Sequence, residues 1–190
     1  MTPIVKKLAI KVGAVDIPKD NRRVHKKPMP LMGGLAIYIS IIITSLIFLP
    51  IDKTLISIII GGTIILISGI IDDIKELSPR MKLVFQIVAA IALILGDVKI
   101  DAITNPFTKT SELIDLGAFS IPITIFWVVG ITNTLNLIDG LDGLAAGVAM
   151  ISSLSFLAVA NKFNYIPVII ISSIIAGSCL GFLPYNFNPA

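Results

Sequence analysis

The sequence predicts an all-α polytopic integral membrane protein, a helical bundle with about six transmembrane helices. Three observations predict it. Hydrophobic residues make up 55% of the 190-residue chain and charged residues only 14%, against roughly 25% charged in a soluble domain. Six apolar stretches approach the roughly 20 residues needed to cross hydrocarbon. The charged residues collect between these stretches, most of them on alternate connections. A soluble protein with a large core is excluded, because buried core helices are usually shorter than these runs.

Taken in order, the apolar windows place helices at about 33–50, 54–71, 83–96, 121–138, 144–160 and 165–182. The window at 83–96 is short, and Ile100 does little to extend it. Met1-Thr2-Pro3-Ile4-Val5-Lys6-Lys7 reads as the tail of one more helix. The connections are brief except 97–120, where Asn105-Pro106, Leu116-Gly117 and a few alternating apolar residues predict a small β-hairpin or an irregular cap. No internal repeat, low-complexity tract or second domain interrupts the chain, so 1–190 is read as a single transmembrane domain. The first residues are basic and polar with no apolar core of a cleavable signal peptide. The lone Cys179 lies in an apolar run and is read as a small core residue.

Orientation follows from Lys and Arg. Lys6, Lys7, Lys11, Lys19, Arg22, Arg23, Lys26, Lys27, Lys75, Arg80 and Lys82 fall on one side, and only Lys53, Lys99, Lys109 and Lys162 on the other. The basic side should be cytoplasmic. Alternation then puts about 1–32, 72–82, 139–143 and 183–190 on that same face, together with the N-terminus. The net charge of +3 does not indicate nucleic acid, because no basic patch is interleaved with aromatics.

Three polar clusters fall in these segments. The most informative is Thr132-Asn133-Thr134-Leu135-Asn136-Leu137-Ile138-Asp139-Gly140-Leu141-Asp142-Gly143-Leu144, which sets two amides and two carboxylates at three-residue intervals. Residues three apart are neighbours on a helix surface, and polar groups at membrane depth are functional candidates. Asn and Asp oxygens suit Mg²⁺, which leaves coordination places for phosphates. The same groups could equally bind a nucleotide base and ribose, or act as interhelical glue. Gly140 and Gly143 suggest that the helix stops there with its backbone open to a ligand.

The second cluster is Asp72-Asp73-Ile74-Lys75-Glu76-Leu77-Ser78-Pro79-Arg80-Met81-Lys82. Adjacent carboxylates repel, so one takes a proton or a cation neutralises both. An acidic pair within reach of Lys and Arg suits phosphate chemistry. The third, 16–34, carries Arg22, Arg23, His25, Lys26 and Lys27 among spaced prolines and ends in Gly33-Gly34. Its cations can attract an anionic substrate or lipid headgroups.

In this order and on one face, these clusters resemble the polyprenyl-phosphate N-acetylhexosamine-1-phosphate transferase family. The matching pieces are Asp16-Ile17-Pro18 through Pro30-Leu31-Met32-Gly33-Gly34, then Gly69-Ile70-Ile71-Asp72-Asp73 with Leu77-Ser78-Pro79-Arg80-Met81-Lys82-Leu83, then 131–145. Ile138, the His25 segment and the tail Phe182-Leu183-Pro184-Tyr185-Asn186-Phe187-Asn188-Pro189 are closer to the N-acetylglucosamine branch than to the muramoyl-pentapeptide branch. The resemblance implies transfer of a sugar-1-phosphate from a UDP-sugar to undecaprenyl phosphate in the cell membrane, with release of UMP and with Mg²⁺ as cofactor. Carried over by position, Asp72 and Asp73 handle the lipid phosphate, and Asn133, Asn136, Asp139 and Asp142 line the nucleotide and metal site, with Asn136 the preferred metal contact. Lys82, Arg22, Arg23, His25 and Lys27 bind substrate phosphates. A homodimer is also implied.

Members of that family continue past Asn-Pro-Ala into a Met-Gly-Asp-Thr-Gly-Ser segment whose Asp is the main metal ligand, then a histidine-rich loop and more helices. They also carry a complete helix before the first one here. The chain is therefore expected to be incomplete at both ends and weak or inactive alone. A small transporter would spread its carboxylates through the bilayer depth, and a membrane scaffold would release no UMP.

Overall fold

The structure is a computed structural model that describes residues 1–11, 15–16, 29–30, 32–108 and 112–187. Among them the chain forms α1 (Thr2–Lys11), α2 (Gly33–Phe48), α3 (Lys53–Lys75), α4 (Pro79–Leu95), α5 (Ser120–Ile138), α6 (Leu144–Lys162) and α7 (Ile166–Asn186). Two short antiparallel ladders pair β1 (Val15–Asp16) with β2 (Met29–Pro30), and β3 (Ala102–Thr104) with β4 (Leu113–Asp115). The second is the hairpin expected within 97–120. α3, α6, α7 and the run Gly117–Ile138 that ends in α5 are long and apolar enough to cross a membrane, and α2 is apolar but shorter. The chain is a polytopic helical membrane protein.

The six expected helices are present, but α7 runs past the expected end at 182 through Pro184 to Asn186, and a second change bears on function. The segment 72–82 is mostly helical rather than a loop. α3 continues through Lys75, whose charge suits the negative end of the helix, and stops where Glu76 turns left-handed at φ 46°. α4 restarts at once. Ser78 Oγ accepts the Met81 N–H at 3.4 Å and Pro79 takes the first helical position, where its missing N–H costs nothing. Asp72 and Asp73 therefore ride on the last turn of α3, and Lys82 on the first turn of α4.

The chain divides into two compact units. One comprises Met1–Pro50, Gly69–Glu76 and Leu135–Ala190. In it α2 and α6 pack against α7, and α1 packs on α2. Its buried positions include the small residues Ala36, Ser45, Ala146, Ser153, Ala160, Ser172, Ala176 and Cys179. Small side chains let helix backbones approach closely where no hydrophobic effect drives association. α2 and α7 meet closely at Gly33, where a Cβ would lie 2.6 Å from Cζ of Phe182 and the ring would have to shift. A groove of about 580 Å³ runs between α2 and α7 past Ser40, Thr44, Ser173, Gly177 and Gly181, and among the described residues no charged side chain lines it.

The other unit comprises Ile51–Ser68 and Leu77–Thr134. Leu55 and Ser57 of α3, Gln86, Ala89 and Ala90 of α4 and Thr124 of α5 are buried in it. A Cβ on Gly61 would come within 3.2 Å of the Ala89 carbonyl oxygen, so α3 and α4 touch through a glycine. Thr124 Oγ1 accepts the Ile100 N–H at 2.9 Å, and Ser120 Oγ donates to Asp101 at 3.1 Å, which ties the hairpin segment to α5. Asp101 also pairs with Lys99 at 3.0 Å, and that contact first, then the Ser120 bond, holds its carboxyl below the ordinary value. Within the apolar helices, Ser and Thr hydroxyls donate to the carbonyl four residues back, as in Thr44 to Ser40, Thr63 to Ile59 and Ser173 to Ile169. This satisfies them where water is absent.

Candidate functional site

Asp139 and Asp142 stand in the five-residue gap between α5 and α6. α5 ends as the Asp139 N–H donates to Leu135 O at 3.1 Å and the Gly140 N–H turns back to Ile138 O at 2.8 Å. α6 is capped by Gly143, left-handed at φ 73°, a conformation that costs an L-residue with a side chain. Five residues connect the two helices, and both carboxylates fall inside that connection. Asp139 is exposed and Asp142 half-buried. Burial of neighbouring mass around Asp139 removes part of its hydration and pushes its carboxyl above the ordinary value. Asn136 lies on the last turn of α5 and is exposed.

One residue here was not singled out by sequence reasoning. Asn186, at the end of α7, accepts the Gly143 N–H on its side-chain oxygen at 3.0 Å. A Cβ added to Gly143 would meet Cδ2 of Phe187 at 3.3 Å and the Asn186 carbonyl oxygen at 3.5 Å. The 183–187 tail therefore folds over the Asp139–Gly143 turn and holds it. In the sequence Asn186 stood within the tail 182–189 that carries part of the family resemblance, with no role assigned to it.

Asp72, half-buried, and Asp73, exposed, belong to the same compact unit as Asn136, Asp139 and Asp142. Asn133 and Lys82 belong to the other. Asn133 is engaged by a neighbouring helix: its Nδ2 donates to Gln86 Oε1 at 2.8 Å and to Val129 O at 2.8 Å, and its Oδ1 accepts from Gln86 Nε2 at 3.3 Å. Arg22, Arg23, His25 and Lys27 lie outside the described residues. Among the described residues, no three His, Cys, Asp or Glu side chains converge as a metal cage. The donors at hand, two carboxylates and an amide oxygen, are hard ligands of the kind that hold Mg²⁺ jointly with water and substrate phosphate rather than alone.

Helices that cross the membrane and acidic and amide groups gathered at helix ends define a polytopic membrane protein with a polar surface site. Residues 55–190 match the family described as glycosyl transferase family 4, and the chain belongs to that family. It is 44% identical over 193 residues to a probable undecaprenyl-phosphate N-acetylglucosaminyl 1-phosphate transferase of Bacillus subtilis, covering 100% of this chain and 52% of that protein. It is 34% identical over 203 residues to a decaprenyl-phosphate N-acetylglucosaminephosphotransferase of Mycolicibacterium smegmatis, covering 98% and 50%. A phospho-N-acetylmuramoyl-pentapeptide-transferase of Halalkalibacterium halodurans is 36% identical over 188 residues, covering 91% and 57%. The chain thus spans little more than half the length of the curated relatives it matches.

Proposed function

We propose that the full-length protein transfers N-acetylglucosamine-1-phosphate from UDP-N-acetylglucosamine to undecaprenyl phosphate at the cytoplasmic face of the plasma membrane. The observation that carries this reading is the pair of acidic clusters, on the end of α3 and in the α5–α6 turn, within one compact unit. An oxygen of the lipid phosphate attacks the sugar-bearing phosphorus. A new P–O–P link forms, the bond to the uridine phosphate breaks, and UMP leaves with the electron pair. Such transfer rests on positioning and charge neutralisation rather than covalent protein chemistry.

Asp72 and Asp73 are assigned to the lipid phosphate, and Lys82, Arg22, Arg23, His25 and Lys27 to phosphate charge. Asn136, Asp139 and Asp142 would hold a magnesium ion, which supplies charge neutralisation on the diphosphate. The exposed Asp139 and Asn136 are accessible to it, and the raised Asp139 carboxyl is a group that a cation would relieve. The cytoplasmic placement of about 1–32, 72–82, 139–143 and 183–190 is supported by the Lys and Arg asymmetry. A homodimer completes the proposal.

UMP release by the purified full-length protein tests it. Wild type should release UMP from UDP-N-acetylglucosamine only with undecaprenyl phosphate present. Asp73→Asn and Asp139→Asn should lose turnover while still inserting in the membrane, and near-normal release by either would remove that residue from the site. The 36% identity to the H. halodurans enzyme supports a second reading, with UDP-N-acetylmuramoyl-pentapeptide as donor, and release with that donor alone would select it.

A further inference from the structure

Gln86 is the polar residue in a run that is otherwise apolar from Leu83 to Leu95. It lies seven residues into α4, about 10 Å from the helix start at 1.5 Å per residue, and is 6% exposed. An amide at that depth needs a partner. It finds one in Asn133, through two bonds of 2.8 and 3.3 Å that run in opposite directions and close a ring between the two amides. The orientation of the ring is determined. The Val129 carbonyl oxygen accepts a hydrogen at 2.8 Å, so the Asn133 atom facing it is the nitrogen, which fixes which end of Gln86 lies opposite. Both Asn133 amide protons are used within this clasp.

α5 runs unbroken from Ser120 to Ile138, so the clasp grips the helix one turn before Asn136 and less than two turns before Asp139. We propose that Gln86 is a positioning residue: through Asn133 it fixes the rotation of the last turn of α5, and with it the direction in which Asn136 and Asp139 are presented. The inference rests on the transferase reading above. It gives Asn133 the work of a brace rather than of a substrate ligand. A helix rotated by a small angle carries Asn136 sideways by an ångström or so, and a misplacement of that size can cost about a hundredfold in rate.

The test uses the full-length protein in lipid nanodiscs, with three variants and two readouts. Gln86→Leu keeps the volume and removes the clasp. Gln86→Asn removes it by shortening one arm, and Gln86→Asn with Asn133→Gln rebuilds the ring with the arms exchanged. The first readout is UMP release. Gln86→Leu and Gln86→Asn should lower kcat by about tenfold to a hundredfold, and the exchanged pair should return to within about threefold of wild type. A merely stabilising role would shift the unfolding midpoint and leave kcat alone. A substrate-binding role for Asn133 would leave the exchanged pair as poor as the single variants. Either result overturns the proposal.

The second readout needs no activity. Leu137, on the last turn of α5, is 84% exposed and takes a nitroxide as Leu137→Cys in a background where Cys179 and any other cysteine of the full-length protein are replaced by Ala. Its spectrum should show greater mobility in Gln86→Leu and recover in the exchanged pair. If wild type releases no UMP, the transferase reading fails, and an unchanged nitroxide spectrum in Gln86→Leu separately refutes the brace.

Discussion

The turn that carries Asp139 and Asp142 contains two glycines with different reasons to be glycine, and the difference predicts unequal effects of the same substitution. Gly143 is left-handed at φ 73°, and a Cβ there would lie 3.3 Å from Phe187 Cδ2 and 3.6 Å from Leu183 Cδ2. Gly140 has no positive φ, and nothing lies within 4 Å of a Cβ built on it. Replacing Gly by Ala restricts the unfolded chain equally at both positions, a gain of about 0.4–1 kcal/mol that cancels in the comparison. What remains is the left-handed penalty at Gly143, about 1–2 kcal/mol, with the tight ring contact adding to it. Gly143→Ala should therefore be less stable than Gly140→Ala by at least about 1–2 kcal/mol. For a chain of this size that corresponds to roughly 2–8 °C in the unfolding midpoint. Thermal unfolding of the two variants in the same detergent measures it. Equal midpoints would refute the left-handed geometry and the packing of the tail over the turn.

Asp139→Asn should be at least as stable as wild type at neutral pH without divalent cations, because burial raises the Asp139 carboxyl. A carboxyl raised on folding contributes stability that is complete below its unfolded value and is lost as pH rises through the folded value. The advantage of the variant should thus fade as pH falls toward the ordinary 3.8, and an advantage that grows on acidification would contradict the burial. Lys53→Ala removes the 2.9 Å pair with Asp97, whose side chains are 67% and 71% exposed. It should cost under about 1 kcal/mol, and less at high salt; a larger, salt-insensitive loss would show that the pair is desolvated.

Much of the fold was legible because each membrane helix declares itself by a long apolar run whatever its neighbours are. The hairpin in 97–120 was legible from its turn residues. The limits of α3 and α4 were not, because Glu76, Ser78 and Pro79 act through helix-end geometry that an apolar window does not register. At the site, the spacing of Asn136, Asp139 and Asp142 pointed to the α5–α6 connection; Asp139 and Asp142 lie in it, and Asn136 precedes it on the last turn of α5. Asn186 escaped notice because its target, the Gly143 N–H, lies 43 residues away, and no local pattern encodes such a contact. Asn133 was legible as a polar residue in a membrane helix, and sequence favoured a ligand role for it over interhelical glue. Gln86 decides its immediate surroundings, and Gln86 was hidden inside a window scored as uniformly apolar.

The two carboxylates of the turn are three residues apart and electrostatically unlike. Asp139 follows α5 directly, at the negative end of that helix dipole, and Asp142 precedes the Gly143 cap of α6, at a positive end. Helix ends of this kind favour or disfavour a negative charge by about 0.3–1 kcal/mol. Asp139 thus carries a charge that its place at the end of α5 and its desolvation both oppose. A cation binding at the turn relieves Asp139 more than Asp142. Magnesium, added to the full-length protein without substrates, should therefore raise the wild-type unfolding midpoint, by about 1.4 kcal/mol at ten times its dissociation constant. Asp139→Asn should abolish that increment, and Asp142→Asn should reduce it. An increment retained in full by Asp139→Asn would place the cation elsewhere and leave the raised carboxyl to a proton.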